Sequence, residues 1–509
     1  MRHLSFLTAL LSVATLTRAD EPIFLNSKEY DNGDFGPYPI QHFKATGHRA
    51  PRVNLVRQSD RCDHDLYTFF SPRGFANNAR LAQSTILDQN GHLVWTTSWG
   101  ENQQMYNLQV QEYKGNKYLT FWAGNDAVGG HGAGKYYMLD QSYKKFKEID
   151  AVNGLKGDLH EFTITEQGTA IITAYKVVDV DLSSLGKTTG PIWECLFQEI
   201  DIETGDLVFE WRASEHIAVA NTYRHIGGEG NPHGAAFDYR YLHSVTYIDG
   251  RTGDVIWVLG GKKNMFDDLS DGRATSFGFQ HDARWANNYT EMTIFDNSDD
   301  GGFSDKSHPR GVRVKIDQEA MTAELVQEYK NPTRLAAASQ GSMRDLPNGN
   351  VLLGFGNAPL FTEFSHDGEV LCETHFGPAN KFGSGEAQSY RVLKFAWQGF
   401  PTSDPAVAIK QDDADEWRVY VSWNGATEIV QWVLQGADKA EGQEEQWQML
   451  EAVAKDGFET SFLVKPGHPA WLRALAMDGS GNVLGMTATL ISTSLRPRSL
   501  EPEWSWPLE

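Results

Sequence analysis

Cysteine is almost absent, with three in 509 residues: Cys62, Cys195 and Cys372. Their spacing matches no zinc or Cys-x-x-Cys pattern, and at most one pair can close within a monomer. Disulfides therefore do not carry the fold, although Cys62 and Cys372 could pair if the two ends of a ring meet. Basic charge is also short. Lys and Arg number 45 against 67 Asp and Glu, a net charge of -22. Nucleic acids and anionic membranes reward a cationic surplus, so both are excluded as partners. Beyond the first twenty residues no apolar run is long enough to span a bilayer. The opening itself, MRHLSFLTALLSVATLTRAD, has a basic start, an apolar run from Leu4 to Leu16 and a small-residue cleavage site at Thr17-Arg18-Ala19. Residues 1–19 read as a secretory signal peptide, which predicts a secreted, extracellular, soluble protein. Asn288-Tyr289-Thr290 fits that route as an N-glycosylation site at Asn288.

Glycine, at 48 residues, and aromatics, including 15 Trp, are plentiful, as packed sheets and turns require. One pattern recurs: an alternating apolar run, a turn led by Asp, then a second run ending in an aromatic. The turns begin at Asp88, Asp140, Asp201, Asp249, Asp317 and His366. Asp-x-x-Gly between alternating runs is a hairpin signal. Between these outer hairpins stand GNKYLTFWAGN, EQGTAIITAYK, NNYTEMTIFDN and NGNVLLGFGN, read as inner strand pairs. Two hairpins per repeat, six times over, predict an all-β, six-bladed β-propeller spanning residues 55–400. Between Asp201 and Asp249 no inner pair is found, only a Gly-rich irregular stretch. After residue 400, short alternating strands predict an Ig-like β-sandwich over 401–495. Residues 20–54 form an N-terminal extension and 496–509 a Pro-rich tail.

In a propeller, equivalent positions converge on the central axis. His160, in GDLHEF, and His281, in SFGFQHDARW, both stand shortly before an inner pair, and Arg240 with nearby His243 lies at the break. A lone histidine among aromatics is as often a packed side chain as a working one; the shared position of two favours function. Three other stretches offer weaker chemistry. GGHGAGKY lacks the Ser or Thr of a phosphate-binding loop and reads as a Gly-rich turn. FDNSDDGG lacks the distal Glu of an EF-hand and reads as a solvated turn. His225, Glu229 and His233 have metal-binding side chains but sit in an irregular segment.

Over most of its length the chain resembles the secreted fungal branch of the arylsulfotransferase (ASST) family. LYTFFSPRG, GDLHEF, GFQHDARW, FDN and QGSMRDLPNGNVLLGFG carry the resemblance, QHDA and LPNGN most specifically. It implies a six-bladed propeller that moves a sulfuryl group from a phenolic sulfate ester to a phenol without PAPS. His281 would be the nucleophile, His160 a donor or general acid at the leaving oxygen, and Arg240 the residue binding the sulfuryl oxygens. No cofactor, metal or macromolecular partner is implied. The family also has a further histidine between an aromatic pair and a Ser/Ala-Arg strand end. Here Phe237-Asp238-Tyr239 runs directly into Arg240, and about fifteen to twenty residues are missing between them. Either the segment is missing from this reading of the sequence, or the protein lacks it and activity is impaired. His243, two strand steps past Arg240, is not given the role. Two alternatives stand: a non-catalytic propeller binding carbohydrate, phenolics or a protein, and a quinone-dependent dehydrogenase, for which the repeating Trp-docking motif is missing.

Overall fold

The computed structural model describes residues 19–74, 83–101, 103–128, 130–231, 235–239, 243–298, 308–333, 335–412, 414–439 and 446–492. The signal peptide up to Arg18, Arg240 and the tail predicted from 496 lie outside them. The fold is all-β. Among the described residues, α-helix is confined to single turns at Lys28–Asp31 and Ala213–His216, and no helix is long and apolar enough to cross a membrane.

Antiparallel runs follow one another along the chain. Gln104–Tyr113, Asn116–Val128, His131–Leu139 and Lys145–Ile149 pair in order, as do Gly157–Ile164, Thr169–Asp181, Thr189–Asp201 and Leu207–Arg212. His281–Ala286, Glu291–Asp296, Arg310–Asp317 and Thr322–Tyr329 make another, and Ser342–Asp345 through Val370–His375 the next. Tyr67–Phe70, Ser84–Leu87 and Leu93–Thr97 take their fourth strand from far along the chain, Val392–Phe395. Asn54–Arg57 adds to the edge of Val370–His375. Beside these two junctions Cys62 and Cys372 form a disulfide across 310 residues, so the two ends of the series do meet.

The repeated turns have one physical cause. Each Asp side chain accepts backbone N–H groups two to four residues ahead: Asp88 from Asn90 and His92, Asp201 from Glu203 and Thr204, Asp317 from Glu319 and Ala320. Asp pre-forms the turn in this way, which fixes the hairpin register. Between Asp201 and Asp249 the expected break is present. Ser244–Ile248 and Val255–Gly260 form a two-stranded sheet by themselves. The space before it holds single helical turns, and Phe237 bridges to the free half-edge of Thr189–Asp201 at Ile192.

Two sequence readings need correction. The stretches read as inner pairs are only the second strand of each pair. NNYTEMTIFDN, for example, is a turn plus Glu291–Asp296, and its partner is His281–Ala286. GGHGAGKY is not a turn: His131–Leu139 is a strand. Its glycines are spacers, because a Cβ on Gly132 or Gly134 would sit 2.7 Å from the Trp122 ring. Tight backbone approach is a normal reason for glycine in a strand.

Apolar clusters join each run to the next. Trp122, Tyr136, Phe162 and Ile172 pack between the second and third runs, and Phe70, Leu87, Leu352 and Phe376 between the first and last. Each such buried side chain contributes about 1.5–3 kcal/mol. Beyond residue 400 two further sheets share one core of Val419, Trp432, Phe462 and Leu472. The N-terminal segment holds them to the rest: Asp20 accepts the N–H groups of Phe458 and Glu459, and Glu459 accepts those of Lys44 and Ala45.

Candidate functional site

His160 and His281 lie on innermost strands, not before them. Both strands are interrupted where the histidines sit. The register slips between Gly157 and Phe162, and between His281 and Arg284, where Asp282 has φ 55°. A β-bulge re-aims side chains that strict alternation would send to opposite faces. As a result His160 with Glu161, and His281 with Asp282, line one cavity of about 720 Å³. Arg73, Tyr106, His243, Gln340 and Tyr390 share its walls. Four non-glycine lining residues, His243, Phe279, Asp282 and Gln340, hold positive φ. Such backbone persists only where surroundings over-determine it, and it clusters at working sites.

The tautomer of His281 follows from its neighbours. Asn297 donates through Nδ2 to the carbonyls of Ala337 (2.6 Å) and Gln340 (2.9 Å). Its Oδ1 must then face His281 Nδ1, 2.7 Å away, so Nδ1 carries the proton. Nε2 keeps the lone pair and accepts only the long 3.2 Å contact from the Gln340 N–H. Burial pushes the ring down to about 4, with His160 and Arg391 acting in the same direction against the Asn297 bond. At neutral pH this is an uncharged imidazole with a directed lone pair.

His160 is held differently. Its Nδ1 lies 2.6 Å from Asp158, which is fully buried and also accepts from Gly132 N–H, His160 N–H and the Thr173 hydroxyl. Burial would raise the Asp158 carboxyl, but His160 and the N–H donors hold it down to about 2. A charged Asp on Nδ1 orients a histidine. Tyr390 stands edge-on to both rings, with centroids 5.7 Å from His160 and 6.0 Å from His281. Burial raises its phenol well above the ordinary value, so it stays protonated.

Arg73, from LYTFFSPRG, is the cation that sequence reading missed. It bonds Asp126 (3.2 Å) and Gln340 Oε1 (3.3 Å) and covers the Tyr106 ring at 4.6 Å. Among the described residues its buried Nε meets no hydrogen-bond partner. Arg240 lies outside the described residues. His243 does reach the cavity, stacked on Tyr223 at 4.7 Å. Below the histidines, Glu161 and Asp282 meet Arg284, Arg344 and Arg391 in a partly buried ion cluster. Burial opposes ionisation of Glu161, but Arg284 and Arg391 hold it well below the carboxylate range. Arg344 is lowered to about 10 by burial.

Metal-ligating side chains come together at His131, Asp158 and His160, whose ligand atoms lie within 4.8 Å of one another. The four donors already on Asp158 would have to be displaced, so the grouping fits an orienting dyad better than a metal. Glu229 is taken by a two-pronged pair with Arg224 at 2.6 and 2.8 Å, while His233 lies outside the described residues. FDNSDDGG is not solvated at its start: Asp296 and Asn297 are buried, and Asp296 pairs with Arg310 at 2.8 Å. Asn288 is exposed, in the turn after the His281 strand.

The sequence profile described as arylsulfotransferase (ASST) matches residues 109–239 and 233–377. No curated protein matches the chain. Among solved structures it is similar to a protein of unknown function from Bacteroides caccae, at 10% identity and TM-score 0.38, covering 65% of this chain and 99% of that one. It is also similar to the periplasmic gluconolactonase PpgL of Pseudomonas aeruginosa, at 12% identity and TM-score 0.22, covering 84% and 96%. A third is the Dos1 propeller, at 9% identity and TM-score 0.19, covering 75% and 69%. None of these three likenesses bears on function.

Proposed function

The chain belongs to the arylsulfotransferase (ASST) family, and from that premise we propose that it moves a sulfuryl group from a phenolic sulfate ester to a second phenol, without PAPS, through a sulfohistidine at His281. The observation that carries this reading is the His281 ring, neutral to about pH 4 with its lone pair on Nε2 inside a cavity shared with a second histidine. Nε2 attacks sulfur as the bond from sulfur to the donor's phenolic oxygen breaks, and that electron pair leaves on the phenolate. His160, oriented by Asp158, supplies the phenolate with its proton. The acceptor phenol then enters, gives its proton to His160 and attacks sulfur, and the N–S electron pair returns to His281. Splitting one hard transfer in two is the advantage of covalent catalysis. Charge stays on the sulfuryl oxygens throughout, and Arg73, together with Arg240, would meet it.

In this reading the successive runs are the blades of a six-bladed propeller and the two sheets beyond residue 400 an Ig-like sandwich. The protein is secreted and carries glycan at Asn288. The two-stranded Ser244–Gly260 unit is the blade missing its inner strands, and the split in the family match at 233–239 falls at the same place. That gap is also what favours the rival reading, a propeller that binds phenolics without turning them over. Steady-state kinetics separates the two. Varying a chromogenic aryl sulfate against a phenol, with no PAPS present, should give the parallel double-reciprocal lines of a ping-pong enzyme. Folded protein that binds the phenol and releases no chromophore would establish the binding reading instead.

A further inference from the structure

We infer that Arg391 is a positioning residue that sets the two histidine strands against each other. The histidines reach the cavity from different runs, and among the described residues no hydrogen bond of the His160 ring goes to the His281 strand. What does connect the strands lies one residue further on in each. Glu161 follows His160, Asp282 follows His281, and a single guanidinium meets both. Arg391 NH2 and NH1 lie 3.0 and 3.3 Å from the two oxygens of Glu161, and its Nε lies 3.5 Å from Asp282 Oδ1. NH2 also donates to the main-chain carbonyl of His160 at 3.3 Å. One side chain thus bonds the backbone of the first histidine and its neighbouring acid, and faces the acid beside the second as an ion pair.

Arg391 comes from neither histidine strand. It immediately precedes Val392–Phe395, the strand that closes the first run, and follows Tyr390, which stands edge-on to both rings. Arg284 also touches both acids and, from the His281 strand, ties that strand directly to Glu161; Arg391 adds a second tie, from the strand that closes the first run. Arg344 reaches only Asp282 and faces a second cavity, of about 740 Å³, beyond the cluster. Five charges, two buried and three half-buried, are a poor way to gain stability, since desolvation consumes much of their attraction. A planar fork bonded to Glu161 through two N–H groups, with its Nε at ion-pair distance from Asp282, is a good way to hold the two strands in a set relation. Misplacement of reacting groups by about 1 Å is costly in rate, which gives such a device a use.

The consequence for rate rests on the sulfuryl-transfer reading; the geometry does not, so the test has two arms on the full chain. Arg391→Lys keeps the charge and loses the fork, and Arg391→Met loses both. In protein labelled at histidine and tyrosine, nuclear Overhauser contacts from the Tyr390 ring to His160 and His281 are measured in each variant. For Arg391→Lys, at least one contact should weaken while circular dichroism stays unchanged. Its kcat for sulfuryl transfer should fall about 100-fold with KM within about threefold. For Arg391→Met, the His281 titration should also move upward, because Glu161 and Asp282 lose a cation and only Arg284 and Arg344 remain to face them. If Arg391→Met does not fold, Arg391→Lys decides alone. Both ring contacts at wild-type strength in Arg391→Lys would overturn the inference even if the wild type transfers no sulfuryl group. Absent wild-type transfer with altered contacts would overturn the functional reading and leave the positioning role standing.

Discussion

The Ser244–Gly260 and His281–Tyr329 units share an outer hairpin and differ in everything inside it. Asp249 and Asp317 make the same turn, each accepting N–H groups two and three residues on. In the complete unit, five of the six residues of Glu291–Asp296 are buried; in the two-stranded unit, every residue of Ser244–Ile248 is only half-buried. The complete unit also supplies His281, Asp282 and Asn297. The outer hairpins are frame, and burial and chemistry come with the inner strands.

The largest effect that sharpens this contrast lies at His281. His281→Ala should abolish transfer, by 10³-fold or more, without unfolding the chain, as loss of a covalent nucleophile does; matched kinetics and circular dichroism would show it. Next come paired core truncations. Ile294→Ala, at a fully buried site, should cost about 2–5 kcal/mol in denaturant unfolding, and Val245→Ala, in the two-stranded sheet, about 1 kcal/mol or less. Equal losses would mean the short sheet is as well packed as the complete unit. Asn297→Ala frees the tautomer of His281 and should lower kcat about 10–100-fold with little change in KM.

The smallest effect is on pH dependence. Free histidine titrates near 6.5, and folded His281 near 4 because burial disfavours its charge. Between those values the unfolded chain holds the extra proton, so this residue's contribution to stability is present above about 6.5 and is lost as pH falls toward 4. Wild-type protein should therefore lose more stability than His281→Gln over that interval, read from denaturation midpoints at each pH. A parallel fall in both would remove His281 from the account.

The outer frame was legible because its signal is local: an Asp, in several copies a Gly three or four residues on, and alternating runs on either side. The missing inner pair was legible for the same reason, as a gap in that rhythm. The innermost strands were not, because bulges at 157–162 and 281–284 break the alternation by which strands are recognised. His160 and His281 were found by their shared place in the repeat and by family resemblance. Asn297 was quoted within FDN but its role was hidden, since it depends on carbonyls at Ala337 and Gln340, forty residues away. Arg73, Glu161 and Arg391 were missed because isolated charged residues carry no pattern; only the fold brings Arg391 from the closing strand to the acids beside both histidines.

The measurement that tests the central claim most directly is intact-protein mass spectrometry with peptide mapping after exposure to an aryl sulfate. The account predicts one sulfuryl adduct, on the peptide carrying His281, discharged when a phenol is added. An adduct on another residue, or none on folded protein, would contradict it.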